Sequence, residues 1–317
     1  METTGARRSR RAVLALGAGT ALAAGLASTG RAYAAPAPAA VPATAGAAAG
    51  PDGALCAELA GLEGEYAARI GLFAHDTGTG RTLAYRADEL FPICSVFKPL
   101  AVAAVLRDLD RDGEFLARRI HYTEQDVEDA GYAPVTKEHL TTGMTVEELC
   151  AAAVGQSDNA AANLLLRELG GPTAVTRFCR SVGDGRTRLD RWEPELNSAE
   201  PWRRTDTTSP RAVARTYAQV LLGDVLEPRD RARLTAWMIA NTTNTDRFRA
   251  GFPADWVLAD KTGGGSAYGV ANDVGVVRPP NRRPIVVAVH TTALAAAGPQ
   301  HNEMVKRAAE LVAETLS

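Results

Sequence analysis

Three runs close together near the C-terminus decide the fold: Trp256-Val257-Leu258-Ala259-Asp260-Lys261-Thr262, Tyr268-Gly269-Val270-Ala271-Asn272-Asp273-Val274-Gly275-Val276-Val277 and Ile285-Val286-Val287-Ala288-Val289-His290-Thr291. Each is rich in β-branched residues and bounded by glycine or proline, so each reads as a strand. A helical pattern follows from about Asn302 to Leu316. At the other end, Leu55, Leu59 and Leu62 recur at roughly helical spacing between about Ala54 and Ala67. Ile70-Gly71-Leu72-Phe73 and Thr82-Leu83-Ala84-Tyr85 then flank the turn-forming Asp76-Thr77-Gly78-Thr79-Gly80, which reads as a hairpin.

Between these ends the pattern is helical. The run from Val96 to about Leu109 is long and apolar. Thr145-Val146-Glu147-Glu148 has capping-box form ahead of a helix that stops at Gly155. A further helix runs from Asn159 to Leu169, closed by Gly170-Gly171, and Pro172 and Ser209-Pro210 mark helix starts. The expected architecture is therefore α/β and two-lobed, of α+β type. An antiparallel sheet flanked by the terminal helices (about 54–94 and 240–317) carries an inserted all-α lobe (about 95–239), with the active site between them.

The N-terminus reads as a processed segment. Arg7-Arg8-Ser9-Arg10-Arg11 precedes an apolar, Ala/Gly-rich run to about Ser28, and Ala32-Tyr33-Ala34 offers small residues for a peptidase. This is the plan of a signal peptide over residues 1–34, and Ser9-Arg10-Arg11-Ala12-Val13-Leu14 resembles a twin-arginine signal. An ordinary Sec-type basic cluster is the other reading. Secretion is the expectation, with no stable membrane insertion after processing. Residues 35–53 are Ala/Pro/Gly-rich without periodicity and read as a disordered tether.

The whole chain carries 35 basic and 37 acidic side chains, and the first 34 residues hold five of the former and one of the latter. The remainder has 30 and 36, a net charge of −6, which gives no reason to expect a nucleic-acid partner. Neither the histidines nor the cysteines fall at metal-site spacing, so no metal and no cofactor is expected. Cys56, Cys94, Cys150 and Cys179 allow up to two disulfides in an exported protein, or four free thiols.

Three short motifs carry chemistry. In Ser95-Val96-Phe97-Lys98 the serine and lysine share a helix face, so the Lys98 amine can reach and activate the Ser95 hydroxyl. Ser157-Asp158-Asn159 lies in a break between helices, where such residues also serve as caps and turn formers. Lys261-Thr262-Gly263 ends a strand. Each is ambiguous alone, but the order and separation of all three resembles the penicillin-recognising serine enzymes. Arg191-Trp192-Glu193-Pro194-Glu195-Leu196-Asn197, in a charged stretch ending near Asp206-Thr207-Thr208, narrows the resemblance to class A serine β-lactamases. The likeness continues through Tyr132-Ala133-Pro134-Val135-Thr136 and Thr141-Thr142-Gly143-Met144-Thr145, and covers nearly everything from Ala54 onward.

The resemblance implies hydrolysis of the β-lactam amide through a serine acyl-enzyme, and with it antibiotic resistance. Ser95 would be the nucleophile, and Glu193 and Asn197 would hold the hydrolytic water, with Glu193 as general base. Lys98 or Glu193 would take the Ser95 proton. Ser157 would protonate the departing nitrogen with Lys261 nearby. Asn159 would bind the substrate's side-chain amide, and Lys261, Thr262 and Arg247 its carboxylate. The backbone N–H groups of Ser95 and Gly264 would form the oxyanion hole. Tyr132 would wall the cleft entrance, Asp158 would order its turn, and Arg191 and Asp206 would pair across the loop neck. Two disulfides known among relatives cannot form, because Gly265 and Val102 stand where the partner cysteines of Cys94 and Cys150 would be. A monomer acting on small β-lactams is expected. A D-alanyl-D-alanine carboxypeptidase or other penicillin-binding protein, and a β-lactam-acylated sensor, are the competing readings; both should lack the Glu193–Asn197 pair.

Overall fold

The computed structural model describes residues 51–317 apart from Ser266. The signal segment and most of the tether lie outside the described residues, which all belong to one compact unit. Helix α1 spans Pro51–Tyr66 and so begins three residues before the expected start at Ala54. Its Leu55 and Leu59 are buried against the sheet.

Strands β1 (Ala68–Asp76) and β2 (Thr82–Tyr85) form the expected hairpin, with Phe73 opposite Ala84. After the two-residue strand β3 (Phe91–Pro92), a 3-10 turn over Cys94–Phe97 runs into α2 (Lys98–Ala104). The expected single helix ends in one wide π-type turn at Val105–Leu109. The middle of the chain follows as α3 (Glu114–Ala117), β4 (Arg119–Ile120), α4 (Glu124–Ala130), β5 (Met144–Thr145), α5 (Val146–Gly155), α6 (Asn159–Glu168) and α7 (Thr173–Ser181). It is thus helical except for two-residue strand pairs, β4 with β5 and β3 with β6 (Thr207–Thr208). Thr145 and Glu148 make the reciprocal capping box that the sequence predicts.

Helix α8 (Pro210–Leu221) starts as expected at the N-cap Ser209, whose hydroxyl accepts from Ala212 N–H. It packs on β1, β8 (Ala271–Arg278) and β9 (Ile285–Ala293), burying Val213, Ala214, Tyr217 and Val220. Helix α9 (Pro228–Ile239) lies against β7 (Val257–Gly264), and α10 (Phe248–Gly251) and α11 (Asn302–Leu316) join α1 in the second core. The sheet is antiparallel in the order β2-β1-β9-β8-β7, with apolar cores on both faces. That double burial explains why β7, β8 and β9 show no alternation of buried and exposed residues, their polar side chains being buried along with the apolar ones. Strand β8 begins at Ala271, later than expected, because Tyr268 and Gly269 adopt positive φ of 54° and 46° and belong to the turn.

Gly71 on β1 marks a close approach. A Cβ there would fall 2.5 Å from the Phe91 ring and 2.8 Å from Pro210 Cγ, so β3 and the start of α8 need glycine at this point.

His290 on β9 is fully buried beside Phe91, and burial pushes its pKa down to about 3. A base whose folded pKa lies below its unfolded value stabilises the fold while neutral, so its contribution is complete above about pH 6.5 and is lost as pH falls toward 3. Denaturant titrations should show stability declining with acid, and His290→Leu should flatten that slope by about 1.4 kcal/mol per pH unit between about pH 6 and 4. An unchanged slope would show that other groups dominate.

Candidate active site

The nucleophile candidate sits where the sheet edge meets the helical segment. Cys94, immediately before it, has a positive φ of 45°, which turns Ser95 into the 3-10 turn. That turn is fixed from three sides. Tyr217 Oη donates to Val96 O at 2.7 Å, Asn272 Nδ2 donates to Pro92 O at 2.9 Å, and Ile93 N–H donates to Asp206 O at 2.9 Å. Strand β7 passes so near that a Cβ on Gly263 would lie 3.3 Å from Cys94 Cβ and Ile93 O. The glycine of Lys261-Thr262-Gly263 thus lets the strand reach the serine's turn.

Lys98, completely buried, is the hub of the polar cluster. Its Nζ donates to Ser157 O at 2.7 Å and to Asn159 Oδ1 at 2.6 Å, and it forms an ion pair with Glu193 Oε1 at 3.2 Å. A longer contact of 3.3 Å reaches Ser157 Oγ. The expectation that Lys98 reaches the Ser95 hydroxyl is not met in this arrangement, because the ammonium directs its hydrogens to these acceptors. Ser95 Oγ instead donates to Glu193 Oε1 at 3.4 Å. Burial pushes the Lys98 pKa down, against the opposing pull of the Glu193 charge.

Glu193 arrives from the loop between α7 and β6 and is itself buried. Asn197 Nδ2 donates to its Oε2. Its backbone is gripped by Asn163 on α6: Asn163 Nδ2 donates to Glu193 O at 2.9 Å, and Glu193 N–H donates to Asn163 Oδ1 at 3.0 Å. The loop neck is closed as expected by Arg191 and Asp206, with Nε to Oδ2 at 2.6 Å.

Ser157 has positive φ of 59° and sits at the break between α5 and α6. Lys261 Nζ donates to its Oγ at 2.9 Å and to Thr262 O at 2.9 Å. Burial, and then the Lys98 charge, hold the Lys261 pKa well below the usual lysine range. Asp158 caps α6 through Ala161 N–H and also accepts from Val135 and Thr136, so it orders the turn and the 132–136 segment. Asn159 N–H donates to Tyr132 O at 2.8 Å, leaving the Tyr132 side chain 52% exposed at the rim. Asn159 Nδ2 donates to Ala130 O, with one amide hydrogen left over.

Arg247 is more committed than a direct carboxylate ligand would be. It is buried, donating from Nε to Asn302 Oδ1 and from Nη1 to Gly263 O and Asn272 O across the β7–β8 pair. Only Nη2, held by Gln300 Oε1 at 3.5 Å, is left to meet a ligand. Gly264 ends β7, where a Cβ would press on Gln300 Nε2 at 2.9 Å. All four cysteines are free thiols, Cys94, Cys150 and Cys179 being buried, and burial raises the pKa of each of these three.

The structure therefore brings Ser95, Lys98, Ser157, Asn159, Glu193, Asn197, Lys261 and Thr262 around one cleft edge, with Arg247 behind β7. A family model described as the beta-lactamase enzyme family matches residues 54–316. The chain belongs to the β-lactamase enzyme family. A β-lactamase of Streptomyces lavendulae is 61% identical over 318 residues, and one of Streptomyces fradiae is 60% identical over 319 residues, in both cases covering 100% of each chain. The solved β-lactamase from Streptomyces albus G superposes with a TM-score of 0.82 at 62% identity, covering 83% of this chain and 100% of that one. A mutant of the last common ancestor of Gram-negative bacteria class A β-lactamase aligns with a TM-score of 0.78 at 50% identity, covering 83% and 98%. This protein is a class A serine β-lactamase, an enzyme that hydrolyses β-lactams, and the carboxypeptidase and sensor readings are not favoured. Among the described residues no helix is long and apolar enough to cross a membrane.

Asn163 and Thr243 were not singled out in the sequence. Asn163 carries a signal in retrospect, as a poor helix former one turn after Asn159 on the same face. Thr243, which bonds Thr262, carries none beyond its place in a polar turn.

Proposed function

We propose that this β-lactamase works through Ser95 as nucleophile and Glu193 as general base in both half-reactions. The observation that carries it is the division of one buried carboxylate: Glu193 Oε1 faces Ser95 Oγ and Lys98, while Oε2 is held by Asn197. At 3.4 Å the Ser95 contact is loose, as catalytic hydrogen bonds are before substrate tightens them.

Ser95 Oγ bonds to the lactam carbonyl carbon as its proton passes to Glu193. The oxyanion is met by the backbone N–H groups of Ser95 and Gly264. The C–N bond breaks, the nitrogen takes a proton from Ser157, and the proton that Glu193 accepted passes by way of Lys98 to Ser157 Oγ, so that Glu193 is again a carboxylate. Lys98 Nζ and Lys261 Nζ both donate to Ser157 Oγ, which leaves the serine's own hydrogen to be given away. Glu193 then takes a proton from a water that Asn197 helps to hold, the water oxygen bonds to the acyl carbon, the ester C–O bond breaks, and Ser95 Oγ recovers a proton from Glu193. Lys261, Thr262 and Nη2 of Arg247, whose other bond is the long one to Gln300, supply donors for the carboxylate beside the ring, Asn159 binds the side-chain amide, and Tyr132 lines the entrance. The protein acts as a secreted monomer, exported by a twin-arginine signal over residues 1–34 and removed from that signal before it acts; the paired arginines and the small residues before Ala35 support this reading.

The test is rapid-quench mass spectrometry of the native enzyme with a penicillin. The protein mass should rise transiently by the whole β-lactam, since ring opening expels no atom, and the label should map to the Ser95 peptide before hydrolysed product accumulates. Turnover with no adduct, or an adduct on Lys98, would refute the mechanism.

A further inference from the structure

Thr262 is tied to more than its strand. Its Oγ1 is hydrogen-bonded to Thr243 Oγ1, on the turn that follows α9. Thr243 in turn holds Asn241 twice, by its backbone N–H at 2.9 Å and its hydroxyl at 2.7 Å, both to Oδ1. Asn241 Nδ2 donates to the Asp260 carboxylate at 3.0 Å and to its carbonyl oxygen at 3.3 Å. Asp260 and Thr262 are two apart on β7 and share a face, so the 241–243 turn spans them in one line.

This line has a readable polarity. The Asp260 carbonyl oxygen can only accept, so the Asn241 amide turns its NH2 toward Asp260 and its Oδ1 toward Thr243. Oδ1 carries no hydrogen, so Thr243 is the donor there. While the single Thr243 hydroxyl hydrogen lies on Asn241, the hydrogen between the two threonines belongs to Thr262. Thr262 then donates away from the cleft and offers the cleft only lone pairs, the wrong polarity for a carboxylate. Reversal leaves nothing unsatisfied. The Thr243 N–H continues to serve Asn241 Oδ1 while its O–H swings to Thr262 Oγ1, and the Thr262 hydrogen turns into the cleft. A hydroxyl that accepts while it donates is also the stronger donor.

We propose that Thr243 is a positioning residue whose hydroxyl reverses direction when an anionic β-lactam binds, freeing and polarising the Thr262 O–H as donor to the substrate carboxylate. This rests on the reading of Thr262 as a carboxylate ligand. Thr243 acts through Thr262, and both of its partners, Thr262 (6% exposed) and Asn241 (9% exposed), are buried.

Steady-state kinetics of Thr243→Val, Thr243→Ser and Thr262→Val, with a double variant, tests it. Losing one oriented donor should raise KM for a penicillin about three- to tenfold in Thr243→Val with kcat within about twofold. Thr243→Ser, which keeps the hydroxyl, should restore native KM. In a Thr262→Val background the Thr243→Val change should have no further effect on KM. An unchanged or lower KM in Thr243→Val, a serine variant no better than valine, or additive effects in the double variant would overturn the proposal. If Thr262→Val itself leaves KM unaltered, it is the underlying reading of Thr262 that fails.

Discussion

With Glu193 replaced by alanine, a penicillin should label the enzyme and stay there, with turnover reduced by about 10²- to 10⁴-fold, the usual worth of a general base. The two half-reactions are unequally exposed to the loss. Burial pushes the Lys98 pKa down, while the charge of its partner Glu193 favours the protonated form. Removing the carboxylate takes away both that charge and the oxygen that Lys98 Nζ and Ser95 Oγ share, so Lys98 is more readily neutral and can turn to take the Ser95 proton during acylation. The hydrolytic water has no such substitute, because Asn197 can orient a water but cannot accept its proton. Ser95→Ala should fail one step earlier, forming no adduct and losing on the order of 10⁴-fold or more in rate, as loss of a serine nucleophile does elsewhere. Stopped-flow absorbance with intact-mass detection separates the two. Rapid turnover by the Glu193→Ala enzyme would remove Glu193 from the mechanism.

What the sequence made legible was local. The strands, the hairpin, the capping box at Thr145 and the final helix follow from period and caps alone, and the fold then places Gly263 beside Cys94. The motif residues were legible as types because each sits next to its own backbone device, a 3-10 turn, a left-handed break or a strand end. Partnerships across the fold were less accessible. Helical spacing put Lys98 within reach of Ser95, yet its hydrogens go to Ser157, Asn159 and Glu193, residues 59 to 95 positions away in the chain. Arg247 was legible as a cation but not as one already occupied by Gly263 and Asn272, because that depends on the β7–β8 register. Asn163 and Thr243 have no motif of their own, and their meaning comes only from the main chain of Glu193 and the hydroxyl of Thr262.

Asp206→Ala should cost about 3 kcal/mol of stability, the lower end for breaking a buried ion pair, because Arg191 remains partly in water. By the usual scaling, that is a fall of roughly 6–12 °C in Tm. The carboxylate is 1% exposed and accepts from Asp190 N–H at 2.7 Å, Arg191 N–H at 3.0 Å and Arg191 Nε at 2.6 Å, so alanine strands three donors at once. The catalytic effect should be selective. Ser95 keeps its own anchors through Tyr217 and Asn272, which do not involve this loop. Glu193 keeps the Asn163 clamp and the Lys98 pair, but its position two residues beyond Arg191 makes it the catalytic group that a loosened neck displaces first. Acylation should therefore survive better than deacylation, and the acyl-enzyme should accumulate in partial imitation of Glu193→Ala. Asp206→Asn, which keeps the shape and one acceptor oxygen but loses the charge, should fall between the two in Tm and in deacylation rate. Equal slowing of both half-reactions would show that the neck supports the whole cleft and not Glu193 in particular, and an unchanged Tm would show that the Arg191 pair contributes nothing to the fold.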